Sequence, residues 1–424
     1  MAGDAKRKKI AVSIQSEVQF FSVAPLLEEL RREPYDVSIL IDDYIEDESG
    51  YGEMGYSEMA KKTIDLIKEY GFVPKRLTSK KKNMLFDLCL MPYEDKTIKA
   101  KCYIKYEYGT LNIKPNLTYV PALLEGFHGF LCQSKITYEM LKAYGATFPV
   151  ENLRFCNRVS KRESRNGKKI LLFAPTYNDL DELAELEKLI SLLKKDYYVV
   201  IKGHHGTNYL KKNSEKKKAF ELLADEYYDS RKNLSDLIIE ADVCLFGNSS
   251  AIGEALYAKV PCAIFTKDLD YFKLDEIHTT QYKIVKGGFV PWTDKVEDIL
   301  DIIKQALSAD YRKKQNKLSD EIFPQSYRTG SEGYLKVIKY FLHDPIAEDY
   351  VMLHDYILKE NYKSKKEEID KLASRNKELV DKIEGLEECV RRMTNKIEDD
   401  KKKKLYRIAD KIYKIEGRIL NGKG

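Results

Sequence analysis

The chain of 424 residues has no apolar run near the roughly 20 residues that a membrane-spanning helix needs. Its seven cysteines, Cys89, Cys102, Cys132, Cys156, Cys244, Cys262 and Cys389, stand singly, with no CxxC pair. That supports neither a zinc site nor a disulfide frame and implies a reducing, cytoplasmic setting. There are only six histidines, and no cluster of His, Asp and Glu has metal-ligand spacing, so neither metal nor cofactor is expected. Asp268-Leu-Asp270 has the letters of a metal-binding DxD, but it leads into Tyr271-Phe272 and reads as a loop. No GxGxxG follows the first strand; the turn there is Gln15-Ser-Glu-Val-Gln19, so the dinucleotide fingerprint is missing. Met1 to Lys9 is basic, but the strand-like Ile10-Ala-Val-Ser-Ile14 behind it is too short for a signal-peptide core. Excess charge is missing too. Residues 401–424 hold nine Lys/Arg and two Asp/Glu, and the rest of the chain is slightly acidic, at −2. The basicity belongs to the tail, and no nucleic-acid partner is expected of the body.

What is present is alternation. Ile10–Ile14 reads as a strand, Phe20–Arg32 as a helix and Val37–Ile41 as a second strand, a βαβ opening that indicates a parallel, doubly wound sheet. Phe86–Leu90, Cys102–Lys105 and Gly129–Cys132 read as further strands of it. After the polar stretch Ser160–Lys169 the pattern restarts: strand Lys169–Ala174, helix Asp181–Lys195, strand Tyr197–Ile201. The expected fold is α/β, two Rossmann-like units facing a cleft as in the GT-B architecture. The expected domains are 1–160, 161–344 with a crossover helix near 327–343, and 345–424 as a helical coiled coil with a basic amphipathic tail.

The densest signal is Asp242-Val-Cys-Leu-Phe-Gly-Asn-Ser-Ser-Ala-Ile-Gly-Glu254. A short apolar strand runs into Gly247, Asn248, Ser249 and Ser250. A helix starting there directs free N–H groups and two hydroxyls at an anion above the strand end. Glu254, one turn on, is placed to take the two hydroxyls of a ribose. The alternative, that Ser249 and Ser250 only cap the helix, leaves the Gly-Asn-Ser-Ser run and the glutamate unexplained together. Two more polar loops follow strand ends: Pro175-Thr176-Tyr177-Asn178 and Gly203-His204-His205-Gly206. A neutral imidazole at His204 or His205 is suited to donate to phosphate or to act as acid or base near neutral pH. Lys202 is placed to neutralise a diphosphate, and Thr176 to touch the same ligand.

These landmarks resemble the CDP-glycerol glycerophosphotransferases, the teichoic acid polymerase family. Lys168–Tyr177, Val200–His205, Asn233–Val243, Phe265–Tyr271, Gly287–Pro291 and Tyr327–Gly330 follow that family's order and spacing between about Lys101 and Leu342. The resemblance implies a GT-B fold and transfer from a nucleotide-activated donor, with His204 on the donor phosphates and Ser249 and Ser250 holding the diphosphate. Glu254 is similar instead to the Gly-Asn-Ser-Ser…Glu pattern of the hydrolysing UDP-GlcNAc 2-epimerases. The chain also departs from the family. Where the family carries Trp-His-Gly-Thr, this sequence has Tyr106-Glu-Tyr-Gly-Thr110, so Tyr108 stands in the place of the histidine proposed as base. Glu107 beside it is a replacement base if it faces the cleft, and a surface glutamate if it does not.

Three functions therefore compete: a transferase using a CDP- or UDP-linked donor, such as CDP-glycerol or a CDP- or UDP-sugar, to build capsule or teichoic acid on a polymer or lipid-linked acceptor; a UDP-sugar 2-epimerase-like enzyme; and a degenerate nucleotide-binding scaffold. The apolar residues Ile369, Leu372, Leu379, Ile383, Leu386, Val390, Met393 and Ile397 step alternately by three and four, with Asn376 in the vacant seam position. That predicts a parallel homodimeric coiled coil. Leu405, Ile408, Ile412, Ile415 and Ile419 continue one residue out of phase. This last helix either extends the coil with a phase change or lies on an anionic membrane surface.

Overall fold

The computed structural model describes residues 7–41, 55–77, 85–93, 98–109, 124–156, 164–176, 182–209, 213–267 and 284–367, with scattered residues from 370 to 403. Met1–Met352 form one compact unit and Leu353–Gly424 another. In the second unit the described residues are helical. The coiled-coil seam, apart from Leu372, and the basic tail, apart from Lys403, lie outside the described residues.

The first unit holds two parallel sheets. Among the described residues the N-terminal sheet comprises β1 (Lys9–Ile14), β2 (Asp36–Ile41), β3 (Pro74–Arg76), β4 (Leu85–Met91), β5 (Lys99–Tyr106), β6 (Gly129–Cys132) and β7 (Ala146–Pro149), in the order β3-β2-β1-β4-β5-β6-β7. The second comprises β8 (Lys169–Ala174), β9 (Tyr197–Lys202), β10 (Glu226–Tyr228), β11 (Val243–Phe246), β12 (Cys262–Phe265) and β13 (Trp292–Thr293), in the order β10-β9-β8-β11-β12-β13. Each sheet thus reverses its winding once, between β1 and β4 and between β8 and β11. Open α/β sheets bind ligands in the crevice beyond the carboxyl ends of the strands at such a reversal.

The apolar strand runs are buried on both faces, as parallel strands between helical layers must be. Val243–Phe246 and Cys262–Phe265 are 0–1% exposed. Cys89, Cys102, Cys132, Cys244 and Cys262 are buried free thiols inside these strands. The first helix, Glu17–Arg32, starts three residues before the apolar periodicity suggests. Ser16 caps it by accepting from Gln19 N, and Gln19 Oε1 accepts from Gln15 N at 2.7 Å, so reciprocal capping fixes its start. The chain crosses back at its end. Helix Gly330–His343 follows the second sheet, but Tyr334, Val337, Ile338, Phe341 and Leu342 join the core of the first. Tyr334 also donates to Glu151 O at 2.8 Å.

Candidate functional site

The reversal between β8 and β11 sets the centre of the site. Gly247 N donates to Ala174 O at 3.4 Å and joins the two strand ends. Beyond it the backbone turns tightly: Ser249 N reaches Gly247 O at 2.8 Å, and Gly253 N reaches Ser250 O at 3.0 Å. The regular helix is only Ile252–Tyr257, so it begins later than the sequence suggests. Ser249 Oγ accepts from Ala251 N at 3.2 Å, which is a local cap, while both serines remain half-buried at the crevice. Asn248 is buried, and its Oδ1 has no hydrogen-bond partner among the described residues. Thr176 sits half-buried just past the end of β8. Tyr177, Asp268 and Asp270 lie outside the described residues.

The second wall is the end of β9. Gly203 is needed there, because a Cβ would collide with the Tyr227 hydroxyl. His204 opens the helix His205–Tyr209: its carbonyl accepts from Thr207 N at 2.9 Å and Asn208 N at 3.1 Å. Its Nδ1 accepts from Gly206 N at 3.0 Å. An accepting Nδ1 is unprotonated, so a neutral His204 carries its proton on Nε2, the tautomer that can donate to an anion. His205 is the first residue of that helix, and its side chain lies outside the described residues.

Lys202 does not project into solvent. It is 8% exposed, donates to Gly203 O at 3.3 Å and lies in the field of Asp229, Glu17 and Glu254. Burial brings its ammonium down to about 8, against the pull of those acids. Glu254 departs furthest from the sequence reading. Its Oε1 pairs with Arg154 at 2.7 Å, with both side chains at most 4% exposed. One oxygen is therefore committed, and the carboxylate is not free to take both hydroxyls of a ribose. Its Oε2 and Arg154 Nε are buried without partners among the described residues. Burial pushes the Glu254 carboxyl up, while Arg154 and Lys202 pull it down.

Arg154 is a residue that sequence reading missed. It lies in the link between the sheets, in the short turn Leu153–Phe155, and it touches both halves. One nitrogen donates to Tyr108 O at 2.7 Å on the N-terminal side and also meets Glu254 on the other. Ser235 Oγ donates to the Arg154 carbonyl at 2.8 Å. The available signal was an arginine between two large apolar residues, since arginine is rarely buried without a charged partner.

On the N-terminal side, Tyr108 is half-buried, with its hydroxyl against that of Tyr93. Glu107 is 4% exposed. Its carboxylate accepts from Gln133 N at 2.6 Å and Thr137 Oγ1 at 3.3 Å, and its carbonyl accepts from Gln133 Nε2 at 2.9 Å. It fastens the end of β5 to the end of β6. This corrects the picture of Glu107 as a base presented to a cleft.

Two switch-point sheets with a C-terminal helix returning to the first define the GT-B class. Residues 151–335 match the family model of the CDP-glycerol:poly(glycerophosphate) glycerophosphotransferases, the family whose landmark order the sequence resembles. No curated protein matches the chain at a significant level. Among solved structures, a Listeria monocytogenes protein assigned as a UDP-N-acetylglucosamine 2-epimerase aligns with a TM-score of 0.54 at 13% identity, over 80% of this chain and 97% of that one. The wall teichoic acid polymerase TagF aligns with a TM-score of 0.52 at 13% identity, over 84% of this chain and 90% of the other. At such identities the likeness shows the fold.

Proposed function

We propose that this protein is a GT-B transferase that takes a CDP- or UDP-activated donor and adds its glycerophosphate or sugar to a cell-surface polymer such as teichoic acid or capsule. The observation that carries the reading is that the Gly247–Ser250 turn, at the β8/β11 switch point, and His204, past the carboxyl end of neighbouring β9, sit at the same end of one parallel sheet, inside the segment that matches the glycerophosphotransferase family. The donor diphosphate lies against the Ser249 and Ser250 hydroxyls and the turn amides. His204, protonated on Nε2, donates to a phosphate oxygen and stabilises charge on the leaving nucleotide. Asn248 Oδ1 is a buried acceptor for a donor hydroxyl or amine. Arg154, which spans Tyr108 and Glu254, fixes the distance between the two halves, and Glu254 orients it. The chemistry is metal-independent, with charge neutralised by side chains and helix-start amides.

The acceptor enters from the N-terminal half, beside Tyr108. The helical unit Leu353–Gly424 joins two chains through the 369–397 seam, and its basic tail rests on the anionic inner face of the membrane. No described helix is long and apolar enough to cross a membrane.

The test is His204→Ala combined with Ser250→Ala. The double variant should lose nucleotide binding by calorimetry while melting within a few degrees of the wild type, because neither side chain is in the core. Full affinity in a folded double variant would refute the phosphate site.

A further inference from the structure

The N-terminal half lacks the histidine expected at Tyr108, yet it places a different side chain against the donor half. Glu17 is the first residue of the helix after β1 and is fully buried. Its Oε1 accepts from the Tyr209 hydroxyl in a short hydrogen bond and from Ser230 Oγ at 3.2 Å. Those two hydroxyls also meet each other, at 3.0 Å. Tyr209 ends the helix His205–Tyr209, and Ser230 lies just past β10, so both partners belong to the half built on the second sheet. Lys62 on the N-terminal side stands 4.9 Å over the Tyr209 ring. Glu17 Oε2 has no partner among the described residues.

A five-residue helix has almost no stability of its own, because nucleation costs more than its few hydrogen bonds return. Its place is set by what grips it. From its own half, His204 Nδ1 accepts from Gly206 N, Asn213 Nδ2 donates to Gly206 O at 3.0 Å and the Tyr227 hydroxyl donates to Asn208 Oδ1 at 2.6 Å; from the other half, Glu17 holds Tyr209 at the last residue. The Glu17 contact joins opposite halves, so drawing them apart would break it.

We propose that Glu17 is a positioning residue that clamps the helix His205–Tyr209 on closure of the cleft and thereby sets His204 for the donor phosphates. The clamp does not depend on the transferase reading; its consequence for the donor does. The carboxylate suits the task because an ionised acceptor roughly doubles the strength of a hydrogen bond, and the start of a 16-residue helix favours a negative charge there.

The experiment uses the full chain with Glu17→Ala, Glu17→Gln and Tyr209→Phe. Amide hydrogen exchange is followed at Gly206 to Tyr209, and CDP and UDP are titrated by calorimetry. Glu17→Ala and Tyr209→Phe should speed exchange at these amides by about tenfold or more and leave β8 and β11 unchanged. Glu17→Gln, whose amide oxygen accepts from the same donors, should restore most of the protection. Nucleotide affinity should fall with the same ranking. Should Glu17→Ala not fold, Tyr209→Phe, which deletes one oxygen, carries the test. Unchanged exchange at 206–209 overturns the clamp. Faster exchange with intact nucleotide affinity overturns the link to His204. A wild type that binds neither nucleotide refutes the transferase reading and the donor role of Glu17, while the exchange rates still decide the clamp.

Discussion

Replacing Arg154 by methionine should unbalance the join between the two halves. The guanidinium is the ion-pair partner of Glu254 at 2.7 Å, and both groups are almost wholly out of water. Methionine fills much of the stem volume, so the loss is mainly electrostatic. Removing one partner of a buried pair strands the other charge, at a cost of about 3–5 kcal/mol. Domain stabilities run to about 5–15 kcal/mol in total, so the effect is large. Glu254 would respond by taking up a proton. Its folded carboxyl already lies above the ordinary 4.5, raised by burial, and losing Arg154 raises it further. Such a group stabilises the fold when protonated, below the unfolded value, and that stability is lost as pH rises through the folded value. Arg154→Met should therefore be much weaker than wild type at pH 7 and recover toward pH 5. Adding Glu254→Gln should restore most of the loss at pH 7. The assay is urea unfolding followed by the single tryptophan, Trp292, which lies on β13 of the second sheet. The reasoning fails if Arg154→Met unfolds within about 1 kcal/mol of wild type, below the range for a broken buried pair, or if the double variant is no more stable than the single one.

Further consequences are measurable. Lys202 titrates near 8 in the fold against 10.5 when free, so the unfolded chain binds more protons between those values and stability should rise over that window. Relative to Lys202→Met, the wild type should gain up to about 3 kcal/mol between pH 7 and 10.5; a flat difference between the two unfolding curves would contradict the burial of the ammonium. Truncation before Lys363 should convert a dimer to a monomer in light scattering, and a persistent dimer would remove the coiled coil from its role.

Much of the layout is legible in the sequence because parallel strands are continuous apolar runs. Ile10–Ile14, Val37–Ile41, Lys169–Ala174 and Val243–Phe246 announce themselves in this way. The two- and three-residue edge strands β3, β10 and β13 do not, since Pro74–Arg76 and Glu226–Tyr228 have no apolar run. The polar turn Gly247–Ser250 is visible because glycine and paired serines after a buried strand have few other uses. The role of Glu254 is not visible. Its partner Arg154 lies 100 positions earlier, and no local pattern reports a contact made only when two sheets come together. The same holds for Glu17, whose partners Tyr209 and Ser230 are nearly 200 or more positions away. Glu107 stands next to the expected base position, yet the strand pairing of β5 with β6 brings it against Gln133. Local signals thus place the polar turn, and long-range pairing decides which nearby charges are free to act.

The most direct test of the central claim is a calorimetric titration of the purified full chain with CDP, UDP, GDP and CMP, repeated with CDP-glycerol and UDP-GlcNAc. The account predicts saturable, stoichiometric binding of a cytidine or uridine diphosphate compound, lost in the His204→Ala, Ser250→Ala double variant. A cytidine preference directs the search to glycerophosphate or a CDP-sugar, and a uridine preference to a UDP-sugar. Absence of binding by every nucleotide would contradict the account and leave a degenerate scaffold in place of a transferase.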